Sequence, residues 1–173
     1  SSSSTFSAIV QAPATGQVSD PGPILSPWAT STLSGTNATS SLFDLISIKP
    51  VYDLNISIIN GPSEISPGVA TAYGIEIENN GNGPVDAVIS VEGISSDWVW
   101  WMVVGELVVN NPIPLSPSYE LDDVKYVEIY LLIPQEIGPA EDISLEISVA
   151  PETGVDSNIL DNTVLFEIET IGV

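Results

Sequence analysis

Asp156, Asn158, Asp161 and Asn162 fall within the seven residues DSNILDN, a concentration of oxygen donors in one short loop. Calcium takes six to eight oxygen ligands, often from Asp, Asn and backbone carbonyls gathered in loops. A second cluster, Glu120, Asp122 and Asp123 in ELDD, offers the same ligand chemistry. Neither follows the EF-hand spacing, and Asp and Asn also make turns by bonding their own backbone. Two readings therefore stand side by side for each cluster, a calcium loop and a turn. Calcium is the one cofactor these residues suggest.

Other chemistry is scarce. The chain has no His and no Cys, and its only cations are Lys49 and Lys125. That removes Ser-His-Asp and Cys-His catalysis, imidazole or thiolate zinc, and an arginine clamp for phosphate. Pairs of carboxylates remain, the minimum for glycoside hydrolysis. With 23 Asp and Glu, chance pairs are unavoidable, and most sit at outward positions on strands. The sequence reads as a non-enzyme.

A net charge of −21 argues against nucleic acid and against anionic membrane surfaces, since both need Lys and Arg. No apolar run approaches the length of a membrane span, so the chain is not expected to cross a membrane by a helix. No basic-then-apolar signal segment opens it, so a secreted form would be the mature chain. The charge is unevenly placed. Asp20 and Asp44 are the only acidic residues up to Lys49, and the other 21 carboxylates follow it.

Residues 1–41 form an arm with 17 Ser or Thr and prolines at 13, 21, 23 and 27. Such a composition cannot build a core alone. It nevertheless carries strand-length apolar patches, TFSAIVQA, PILSPWA and, at its end, LFDLISI. Phe6, Ala8 and Val10 would share one face of an extended strand, with Ile9 on the other. The arm is either a linker or a segment that orders on a partner.

From residue 42 to 173 the pattern is β. Period-two alternation recurs in VYDLNISII, VATAYGIEIE, VDAVISVE, YVEIYLLI, ISLEISV and TVLFEIETI, with turn chemistry between them. No helical periodicity interrupts it. This predicts an all-β, antiparallel immunoglobulin-like sandwich of about seven or eight strands. DWVWWMVVGELVV breaks the alternation: Trp98, Trp100, Met102 and Val104 share one face, and Val99, Trp101 and Val103 the other. One face belongs to the core, and the other needs a cover, from this chain or from a neighbour. Two sequons, Asn37 in NAT and Asn55 in NIS, are candidate glycosylation sites.

The stretch DLNISIINGPSEISPGVATAYGIEIENNGNGPVDAVISVEG resembles the opening of CARDB-type immunoglobulin-like domains of bacterial and archaeal cell-surface proteins. VAPETGVDSNILDNTVLFEIETI resembles their closing stretch. The resemblance covers residues 53–170 and leaves residues 1–50 outside. It implies an Ig-like sandwich with an extracellular, adhesive or structural role, and it supplies no catalytic residues.

Two functions follow as expectations. One is a structural subunit of an extracellular, pilus-like filament or surface layer, polymerising with itself as the arm joins a neighbour's sandwich. Phe6, Ala8, Ile9, Val10, Trp98, Trp100 and Trp101 would form that interface. The other is a monomeric adhesion module whose tryptophans stack on glycan rings, with the arm as linker.

Overall fold

Side chains that alternate between apolar and polar residues satisfy a sheet with one wet face, and six long strands form on that rule. The computed structural model describes residues 24–25, 28–39, 44–45, 47–135 and 142–171. The chain divides into two compact units, Ser1–Lys49 and Pro50–Val173.

In the first unit, β1 (Ile24–Leu25) pairs with β4 (Asp44–Leu45), and β2 (Trp28–Thr30) with β3 (Asn37–Thr39), both antiparallel. The turn between β2 and β3 closes through Gly35, whose positive φ of 66° suits a residue without Cβ. The apolar LFDLISI stretch thus contributes β4 to the first unit, which ends at residue 49 instead of the expected 41.

The second unit is the sandwich. Its strands are β5 (Leu54–Asn60), β6 (Glu64–Ile65), β7 (Thr71–Asn79), β8 (Val85–Glu92), β9 (Val99–Val104), β10 (Leu107–Val109), β11 (Ile113–Leu115), β12 (Val124–Leu132), β13 (Asp142–Pro151) and β14 (Thr163–Thr170). A single 3-10 turn, η1 (Ile159–Asp161), precedes the last. Two five-stranded sheets result, β10-β9-β12-β7-β5 and β11-β8-β13-β14-β6. Every pairing is antiparallel except the two-residue contact of β6 with β14. Six of the seven long strands are those the alternation predicts, and the seventh, β9, comes from the apolar DWVWWMVV stretch. The three additional ones, β6, β10 and β11, are only two or three residues long.

Between the sheets lie Tyr73, Ile75, Ile77, Val127, Ile129 and Leu131 from one side and Ile89, Leu145, Ile147, Phe166 and Ile168 from the other. Burying each such aliphatic side chain is worth about 1.5–3 kcal/mol. The Tyr73 and Phe166 rings meet edge to face, with centroids 5.1 Å apart. Buried Asn79 organises the ENNGNGP turn: its Nδ2 donates to the carbonyls of Gly83 (2.9 Å) and Ser116 (2.8 Å), and its Oδ1 accepts from Gly81 N (2.9 Å). All its hydrogen-bonding capacity is directed to backbone, so a fully buried amide is tolerated.

Tyr73 is the exception in the core, since its buried hydroxyl has no hydrogen-bond partner among the described residues. Burial pushes its phenol up from 10.0 to about 12. The neutral form is favoured in the fold, so this contribution is complete below pH 10 and is lost as pH rises from 10 towards 12. Tyr73→Phe should therefore raise stability by about 1 kcal/mol at pH 7. It should also flatten the loss between pH 10 and 12, as read by urea unfolding at both pH values.

Candidate functional site: an open sheet edge, an aromatic face and a clasped loop

The lateral side of the sandwich is set by the last strand of each sheet. β14 pairs with β13 from Asp142↔Glu169 to Ser148↔Thr163. On its other side β6 covers only Glu169 and Thr170. Along a strand, the N–H and C=O of one residue point to one side and those of the next residue to the other. Glu169 N donates to Ser63 O (2.8 Å) and Ile171 N to Ile65 O (3.0 Å), so odd-numbered residues face the β6 side. Asn162 O accepts from Val149 N (2.9 Å), so even-numbered residues face β13. Thr163, Leu165 and Glu167 consequently aim their backbone groups at an edge on which no strand of the described residues pairs.

Opposite this edge lies β5, itself paired only with β7. Leu54, Ile56 and Ile58 share the inward parity, matching Asn79, Ile77 and Ile75 across the ladder. Leu54 is 0% and Ile56 5% exposed, but Ile58 is 46% exposed. The register explains this. Leu54 N donates to Asp156 Oδ2 (2.8 Å) at one end of β5, and Gly61 lies against the Phe166 ring at the other. Ile58 falls between them, where the register of β5 on β7 shifts between Ile58 and Asn60. Leu165 is also half exposed.

The second surface is the outer face of the β9–β12 pair. Trp98 and Trp100 turn inward and pack on the core beside Met102. Of the three expected interface tryptophans, Trp101 alone presents its ring outward. It stacks on Tyr130, its cross-strand partner, with centroids 5.3 Å apart and planes 9° from parallel. Tyr130 donates to Glu128 Oε2 (3.3 Å), and the Glu128 charge pushes the Tyr130 phenol above its ordinary pKa. Tyr130 was not readable as a partner, because the register of β12 against β9 is set by the fold. A cavity of about 310 Å³ opens beside this face between Gly68, Val99, Leu132, Ile133 and Gln135. Asp97 is the one carboxylate lining it among the described residues. Phe6, Ala8, Ile9 and Val10 lie outside the described residues.

The DSNILDN loop is a clasp. Asp156 is buried; its Oδ2 accepts from Leu54 N and its Oδ1 from Asn158 N (2.9 Å). Ser157 N donates to Tyr52 O (2.8 Å) and Ser157 Oγ to Asp53 Oδ1 (3.0 Å). Asn158 Nδ2 donates to Asp161 Oδ2 (2.6 Å), whereas Asp161 Oδ1 and Asn162 Oδ1 are buried without a partner. In the ELDD cluster Asp122 pairs with Lys125 (2.8 Å), Asp123 O accepts from Asn79 N (2.8 Å), and Glu120 is exposed. Among the described residues no three carboxylates come together as a metal-ligand set. Of the sequons, Asn37 is exposed on β3 and accepts from Thr30 Oγ1 (2.6 Å), and Asn55 lies on the outward parity of β5 opposite Glu78. No helix of the described residues is long and apolar enough to cross a membrane.

No protein-family model and no curated protein matches this sequence. Solved structures do. A family 123 glycoside hydrolase from Clostridium perfringens, studied for glycolipid glycan hydrolysis, aligns at 12% identity and a TM-score of 0.50 over 70% of this chain. The chain spans only 27% of that enzyme's length. The CARDB domain of PF1109 from Pyrococcus furiosus aligns in solution at 17% identity over 70% of this chain and 96% of its own, with a TM-score of 0.45. Its crystal structure in complex with di-metal ions aligns at 18% identity over 70% and 90%, again with a TM-score of 0.45. The second unit is an all-β sandwich of two five-stranded sheets.

Proposed function

We propose that this chain is a non-catalytic structural subunit of an extracellular filament or surface layer, joined head to tail as the N-terminal arm of one copy adds to the sandwich of the next. One observation carries the reading. The ten strands that build the two sheets all lie between Leu54 and Thr170, and none of the four short strands of the first unit joins either sheet. The core is complete without the arm, so the arm augments an existing sheet and does not replace a missing strand. Strand addition satisfies backbone groups directly, and one such interface repeated without closure makes a fibre. The near absence of charge before Lys49 fits this role, because a donor entering a body that holds 21 of the 23 carboxylates adds no repulsion.

A second reading rests on the Trp101–Tyr130 stack, a flat outward surface able to hold a glycan ring on a monomeric adhesion module. Light scattering and negative-stain microscopy separate the two. The full chain should form filaments or large assemblies at high ionic strength, and a chain lacking residues 1–49 should stay monomeric, with calcium and with chelator as parallel arms. A full chain that is monomeric in every condition sinks the filament reading and leaves the glycan one.

A further inference from the structure

The position on the sandwich that receives the arm can be named, given that reading. We infer that the acceptor is the free edge of β14, residues Thr163–Ile168, and that its occupant is the Thr5–Ala12 segment of a second copy of this chain. Three observations converge on the edge. The outward backbone groups of Thr163, Leu165 and Glu167 have no strand partner among the described residues. Ile58, inward by parity on β5, is 46% exposed and leaves apolar surface open to an added strand. β6 then fills the last two positions of that edge, which shows that the edge accepts a strand and fixes where an incoming one must stop.

The occupant follows by elimination within the arm. Of its apolar patches, Ile24–Leu25 and Trp28–Thr30 are already paired with Asp44–Leu45 and Asn37–Thr39, and they are interrupted by Pro23 and Pro27. TFSAIVQA has no proline, so it can donate at every position, and its eight residues are enough to span the six of the open edge. It also has no charge. The edge is bordered by carboxylates, with Glu169 directly between Asp142 and Glu64 across the ladder and Glu167 one outward position along. Like charges opposite one another are unfavourable, so a neutral strand is the one that fits. Phe6, Ala8 and Val10 would turn inward over Ile58, and Ile9 outward beside Leu165.

The test uses the full chain. Leu165→Pro removes an N–H that points away from β13, and an edge position tolerates that change. It should raise the concentration needed for assembly about tenfold or more, while Leu165→Thr, which keeps the N–H, assembles like the parent. In parallel, chains carrying Ile9→Cys are mixed with chains carrying Leu165→Cys; no native cysteine competes. Disulfide-linked pairs of the two chains on gentle oxidation are expected, and they keep the test valid even if the proline variant is poorly folded. Assembly by the parent and by a folded Leu165→Pro chain alike, with no mixed disulfide, places the acceptor elsewhere: the inference fails and the filament reading stands. A monomeric disulfide in the chain carrying both cysteines, without mixed pairs, puts the arm on its own sandwich and overturns the inference. A parent chain that never assembles removes both.

Discussion

Asp156→Ala lowers the stability of the sandwich by about 3 kcal/mol, measured by equilibrium urea unfolding at pH 7. The magnitude comes from what the carboxylate holds. Its two oxygens accept from Leu54 N and Asn158 N, and Leu54 is fully buried. Truncation leaves the Leu54 amide in the interior without an acceptor, and it frees the clasp that ties β5 to the loop before β14. Asp156→Asn keeps one carbonyl but turns a donor towards an amide N–H, so it should recover less than half of the loss. A surface carboxylate such as Glu152 replaced by Ala provides the contrast, with a change within about 0.5 kcal/mol.

Gly93→Ala should cost about 3 kcal/mol by the same measurement. Gly93 follows β8 with φ +83°, a region that L side chains avoid. A Cβ there would press into the backbone carbonyl of Ser144 in β13, which has no flexible end to yield. Gly105 separates the two contributions. It has φ +63° in the β9–β10 turn with nothing within 4 Å of a built Cβ. Gly105→Ala should therefore show the backbone strain alone, about 1 kcal/mol. Equal losses at both sites would mean that the close approach of β8 and β13 contributes nothing.

The parts of the fold that could be read from the sequence are those fixed by local alternation. Val127, Ile129, Leu131 and Ile133 are all fully buried, as their parity in YVEIYLLI requires. The same parity puts Trp100 and Met102 on one face and Trp101 on the other, but which face is the core was not readable; Trp100 and Met102 pack on it. What depends on neighbours was not readable. NGPSEISPG has the composition of a turn, yet its Glu64–Ile65 forms a parallel rung because β14 offers donors there. Asn111 looks like another turn residue, but its Nδ2 and Oδ1 bond Ile89 O (2.7 Å) and N (2.9 Å), imitating one more ladder position. The DSNILDN carboxylate that suggested calcium proves to accept two backbone amides, one of them 102 residues away in the chain. Ile58 shows the limit most clearly. Its own strand assigns it to the core, yet it is 46% exposed beside the register shift between Ile58 and Asn60.

The rung between β6 and β14 and the bridge between Tyr52 and Asp156 join the N-terminal and C-terminal parts of the sandwich. That topology governs when the domain can come into being. Contacts this distant in sequence form late and slow the search, so early strands cannot settle into a closed sandwich by themselves. On a ribosome, or on the far side of a translocation channel, β5, β6 and β7 would wait with their apolar faces uncovered until Phe166 and Ile168 arrive. The final strand is then the act of closure, and a chain truncated before Thr163 would remain a substrate for chaperones and proteases.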